Sequence, residues 1–184
     1  MFLLSLIVTA QLIAPAAPSQ PNTPSISIEE PIVEEVIVVE TPTYETPSYV
    51  LDVDLSVELQ TYTYELCEDY GITDYYKWII SMMYVESKFQ SDTISASDDY
   101  GLMQINKCNH AWLSTLLGIT DFLDPYQNIE AGIYIFAYLI GKYDIHKSLM
   151  AYNYGEAAAK RRWKEGIYNS SYSLSVEEYY KTLS

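Results

Sequence analysis

Glu86 ends an apolar stretch, Trp78-Ile79-Ile80-Ser81-Met82-Met83-Tyr84-Val85, and is followed by Ser87 and Phe89. A carboxyl group held against apolar neighbours has its charged form disfavoured, so its pKa is expected to rise toward neutrality. A carboxyl that keeps its proton near pH 7 can act as a general acid on a leaving-group oxygen, as cleavage of a glycosidic bond requires. Two further clusters follow in order: Gly101-Leu102-Met103-Gln104-Ile105, and Ala151-Tyr152-Asn153-Tyr154-Gly155. Each is short, so the weight lies in their order and spacing. The chemistry expected of a lone Glu needs no metal and no organic cofactor. Cys67 and Cys108 are the only cysteines, and with His110 and His146 they make no set with the ligand spacing of a structural metal.

These residues must be positioned by helices. Leu55, Leu59, Tyr62 and Leu66 recur at helical spacing before Gly71 stops the run. Thr73 or Asp74 is placed to cap the next helix, which runs to about Ser87 and is apolar on nearly every face, the mark of a core helix. Residues 88–106 are small and polar and read as an irregular or partly β segment beside Glu86. Helical patterns resume at about 108–118, 125–142, 145–153 and 156–165, and a last helix is expected at 175–183. Pro125 behind Asp124 suits the first turn of the long helix. The fold expected is mainly α, from 54 to 184.

The chain of 184 residues carries a net charge of −15, which argues against a nucleic-acid partner because little could neutralise phosphates. The charge is unevenly spread. No Lys or Arg precedes Lys77, and residues 1–70 hold 12 acidic groups. Seven of the eight prolines lie before residue 48, so residues 18–53 read as an acidic, Pro-rich linker. Within it, residues 32–39 are apolar enough to pair as a strand or to form a patch in a linker. Residues 1–17 pair the apolar run Phe2 to Ile13 with small residues at Ala14-Pro15-Ala16-Ala17 and read as a secretory signal peptide or an uncleaved anchor. Two cysteines in an exported chain either pair or sit as separate thiols.

Glu86-Ser87-Lys88-Phe89, Gly101-Leu102-Met103-Gln104-Ile105, Asp124-Pro125-Tyr126-Gln127-Asn128 and Ala151-Tyr152-Asn153-Tyr154-Gly155 together resemble the soluble lytic transglycosylase family. The resemblance covers about residues 58–184. It implies a lysozyme-like fold acting on the glycan strands of peptidoglycan, outside the cytoplasm and as a monomer. It also implies roles. Glu86 would be the single catalytic acid and base, with Ser87 beside it orienting the substrate acetamido group. Gly101 would admit the sugar close to the backbone, and Met103 and Gln104 would line the cleft. Tyr152 and Asn153 would form the opposite wall. A Tyr near the C-terminus would complete the site, with Tyr179 the first choice and Tyr180 and Tyr172 its rivals. Asn128 and Gly132 are read as packing residues. The chain departs from the family before Gly101, where Asp98, Asp99 and Tyr100 replace small residues. Goose-type lysozymes share the fold and carry aspartates there, so a hydrolytic outcome stands as the alternative. A non-catalytic peptidoglycan-binding module is the other. Wall remodelling, secretion or conjugation machinery and phage entry are all compatible roles.

Overall fold

The computed structural model describes residues 47–183. The expected signal or anchor at 1–17, the linker up to residue 46 and the strand-like run at 32–39 lie outside them. Among the described residues the elements are α1 (Val57–Asp69), α2 (Tyr76–Ser87), β1 (Asp99–Tyr100), β2 (Ile105–Asn106), α3 (His110–Leu117), α4 (Pro125–Ile140), α5 (Ile145–Tyr154), α6 (Glu156–Lys164) and α7 (Ser171–Tyr180). β1 and β2 form a minimal antiparallel pair, with Asp99 opposite Asn106 and Tyr100 opposite Ile105. Among the described residues no helix is long and apolar enough to cross a membrane.

α4 is the central helix. Ile129, Ile133 and Phe136 are fully buried along one of its faces, and the helix packs against α1 and α5. Its start follows from local chemistry: Asp124 accepts a hydrogen bond from the Gln127 amide (2.9 Å), and Pro125 occupies a position that needs no amide proton. α2 buries Ile79, Ile80, Met82 and Met83, and α7 lies along it. Each such side chain removed from water contributes about 1.5–3 kcal/mol, so α2 is anchored by its whole apolar surface rather than by one stripe. Neither Thr73 nor Asp74 caps it through a side chain. A 3₁₀ turn, Thr73–Tyr75, leads directly into the helix instead.

The packed chain begins ahead of Asp54. The fully buried Gln60 amide donates to the carbonyls of Leu51 (3.1 Å) and Leu55 (2.8 Å), and its carbonyl oxygen accepts from the Leu51 amide (2.8 Å). Tyr49 stacks on Tyr64 with ring centroids 4.1 Å apart. Residues 47–53, grouped with the linker on composition, are therefore bound to α1. The last helix also starts earlier than residue 175. Ser170 and Ser173 close a reciprocal capping box, which sets the first turn at Ser171. Cys67 is buried on α1, Cys108 is exposed, and both are free thiols.

Candidate active site

Glu86 lies in the last turn of α2 because the helix is forced to stop just after it. Lys88 and Phe89 take left-handed conformations, φ 54° and 64°. Neither is glycine, so the turn is strained. All four non-glycine residues with positive φ among those described, Lys88, Phe89, Asp98 and Gln104, fall within the segment that borders Glu86. Ser87 fixes that segment to the helix: its hydroxyl donates to the Leu102 carbonyl (2.9 Å), with the Met83 carbonyl at 3.1 Å. Ser87 is thus a buried tie.

The turn between β1 and β2 is held from α4 by one side chain. Asn128, fully buried, accepts from the Met103 amide (2.8 Å) and donates to the carbonyls of Tyr100 (2.7 Å) and Phe122 (2.8 Å). Gly101 has φ 71°, and a Cβ there would stand 2.6 Å from the Asn128 amide nitrogen and 2.9 Å from the Phe122 carbonyl oxygen. Its bareness admits Asn128. Met103 is likewise packing: its side chain is fully buried against Gly132, where a Cβ would meet the Met103 sulfur. Neither position is among the residues that line the cleft described below. The turn folds back onto α4, so that residues 101–103 are buried while Gln104, Ile105 and Asn106 reach the cleft.

Gln104 does face outward. Its amide donates to the Gly101 carbonyl (2.8 Å), and its side chain lines a cleft of about 500 Å³ together with Glu86, Asp99, Tyr152 and Asn153. Tyr152 reaches across from α5, and its hydroxyl donates to the Met103 carbonyl (2.9 Å). Of the three tyrosines weighed for the C-terminal position, Tyr172 is the one beside Glu86. Its hydroxyl is sealed from solvent and faces the carboxyl more loosely than an ordinary hydrogen bond. Tyr179 stacks on Tyr84 (3.7 Å) and Tyr180 on Trp78 (4.0 Å), away from the cleft. The early start of α7 accounts for this, because it puts Tyr172 in the first helical turn.

The electrostatics separate two carboxyl groups. Burial pushes Glu86 up to about 7, Tyr172 moderates the rise, and the charge of Asp99 adds to it. Asp99 goes the other way. Partial burial alone would raise it, but donors from Ser95, Asn106 and Ser97 outweigh that and hold it below the usual carboxylate range. The distances are 2.7 Å from each of the Ser95 and Ser97 hydroxyls and 2.7 Å from the Asn106 amide. At neutral pH the cleft therefore holds one carboxyl that can carry a proton, while Asp99 and the ion-paired Glu156, which also lines it, stay ionised. Asp98 is exposed and lies outside the cleft lining.

The far wall of the cleft is built from residues that motif reading passed over: Trp112 on α3 and Tyr134 and Tyr138 on α4. With 19 tyrosines in the chain, type alone could not single these out. Their i, i+4 spacing on one helix was the available signal. His110 is stacked on Phe122 (3.6 Å) and His146 lies 3.8 Å from Glu177, so neither joins the cleft.

The family described as "Transglycosylase SLT domain" matches residues 70–175. Among solved structures, the chain is similar to an inactive mutant of the lytic transglycosylase Slt from Pseudomonas aeruginosa, with a TM-score of 0.55 and 20% identity over 66% of this chain and 23% of that one. The 70 kDa soluble lytic transglycosylase from Escherichia coli matches with a TM-score of 0.46 and 18% identity over 58% of this chain and 22% of that one. The chain thus spans about a quarter of the length of either protein.

Proposed function

The chain belongs to the transglycosylase SLT domain family, and on that premise we propose that it is a peptidoglycan lytic transglycosylase with Glu86 as its single acid and base. The observation that carries this reading is the Glu86 carboxyl, raised to about 7 by burial at the edge of an open cleft. Protonated Glu86 donates to the glycosidic oxygen between N-acetylmuramic acid and N-acetylglucosamine. The substrate's own 2-acetamido group stabilises the sugar cation, in place of an enzyme nucleophile. Ionised Glu86 then takes the proton of the muramoyl 6-hydroxyl, which closes on the anomeric carbon to give a 1,6-anhydro ring. The proton balance closes, since Glu86 ends the cycle protonated as it began. Gln104, Tyr152 and Asn153 line the cleft around this centre and are assigned to substrate binding. Tyr172 favours the ionised form of the carboxyl and so moderates its rise. The substrate places the enzyme outside the cytoplasm, with residues 1–17 as signal or anchor and the acidic segment behind them as a tether.

Asp99 favours a second reading. An ionised, triply hydrogen-bonded carboxylate lining the same cleft can orient a water against the anomeric carbon, which would make the product a reducing end, as in a lysozyme. The test is digestion of purified peptidoglycan by the full chain, with Glu86→Gln and Asp99→Asn alongside. Anhydromuramoyl ends from wild type and Asp99→Asn, and none from Glu86→Gln, support the transglycosylase. Reducing ends that vanish with Asp99→Asn move the assignment to hydrolysis. Strong glycan binding without any product from wild type would make the chain a binding module.

A further inference from the structure

The cleft continues past Gln104 and Asn106 to a wall that presents three aromatic rings, Trp112, Tyr134 and Tyr138. We propose that these rings are a stacking platform for the sugars of a glycan strand that lies along the cleft to one side of the bond at Glu86. This rests on the proposed action on glycan strands.

Trp112 is 42% exposed and Tyr138 56%, although both are large rings in a chain that has a core to put them in. Exposed apolar surface gathered in a cleft, rather than scattered singly, marks a contact surface. The rings are also held. The Trp112 indole N–H donates to Asn109 (3.1 Å), and its ring lies 6.2 Å from that of Tyr134. Tyr138 stands four residues beyond Tyr134 on α4, about 6 Å along the axis, which is the scale of one pyranose in an extended strand. Its hydroxyl accepts from Lys142 (2.7 Å), which is itself tied to Glu156 (2.7 Å). Rings fixed in this way give contact area without losing much side-chain freedom on binding.

The occupant follows from the surface and from its continuity with the centre at Glu86. A pyranose offers an apolar C–H face and a polar rim. The wall matches both, because Asn106, Asn109 and Glu156 line the cleft between and beside the rings. A protein partner would call for a larger unbroken apolar patch than polar groups leave here. Other exposed large side chains, such as Val57 and Leu174, lie outside the cleft.

The experiment uses the full chain in a Glu86→Gln background, so that ligands stay uncut. Chitin oligomers of increasing length are titrated, read by calorimetry and tryptophan fluorescence. Affinity is expected to rise with oligomer length. Trp112→Ala should weaken the longer oligomers about fivefold to tenfold, Tyr138→Ala about threefold, and neither should weaken the shortest. Both positions are exposed, and circular dichroism checks the fold; Trp112→Phe, which keeps a ring, should retain most of the length dependence. Parent and Trp112→Ala proteins with the same affinity for every length would overturn the platform alone. A parent protein that binds neither chitin oligomers nor peptidoglycan glycans would overturn both the platform and the functional reading beneath it.

Discussion

Replacing Glu86 with Gln should make the protein more stable, and the gain should depend on pH. The carboxyl rises from its ordinary 4.5 to about 7 in the folded chain. At 1.36 kcal/mol per pKa unit, that corresponds to about 3 kcal/mol. The sign follows from proton binding. Between 4.5 and 7 the folded state holds a proton that the unfolded state releases, so stability falls as pH rises through that window. The penalty is complete above about pH 7 and absent below 4.5. Glutamine removes it, because an amide has the carboxyl's shape and never ionises. The variant should therefore exceed wild type by about 3 kcal/mol at pH 8 and match it near pH 4. At roughly 3 °C per kcal/mol for a chain of this size, the melting difference at pH 8 is about 10 °C. Thermal denaturation followed by circular dichroism, for both proteins at both pH values, measures it. Other carboxyl groups titrate in both proteins and cancel in the difference. Equal melting differences at the two pH values, or a variant less stable than wild type at pH 8, would refute the view that burial dominates at Glu86.

Activity itself should fall on an alkaline limb centred near pH 7, where Glu86 loses the proton it must donate. Tyr172→Phe should move that limb upward, since the Tyr172 hydroxyl lowers the Glu86 pKa; a pH–rate profile that shifts downward would contradict the assignment. Asn128→Leu should destabilise the chain by about 3 kcal/mol or more in urea unfolding, because it strands the Met103 amide and the carbonyls of Tyr100 and Phe122. One thiol should react with a disulfide reagent in the native protein and two after unfolding, since burial pushes Cys67 up to about 12 while Cys108 is exposed.

The fold was legible where sequence chemistry is local. Asp124-Pro125 marked the start of α4, and the all-round apolar character of α2 marked a core helix running to about Ser87. Glu86, Gln104, Tyr152 and Asn153 were legible as motif residues, and all four line the cleft. What could not be read was the direction of side chains in the turn after β1. Gly101 and Met103 belong to the same motifs, yet they pack against α4, because Asn128 draws the turn inward from 25 residues away in sequence. Tyr172 could not be separated from its rivals Tyr179 and Tyr180 for a different reason. Ser170-Ser171-Tyr172-Ser173 looks like a loop by composition, while the two serines cap each other and begin α7 a turn early. The aromatic wall was hidden in a chain rich in tyrosine, where only the fold separates the rings that stack in the shell from those that face the cleft.

The most direct test of the central claim is the fate of solvent oxygen. Peptidoglycan digested by the full chain in heavy-oxygen water should yield muramoyl ends that carry no label and lack one water, because the 6-hydroxyl rather than solvent closes on the anomeric carbon. Labelled reducing ends would contradict this and assign the final step to a water held at Asp99.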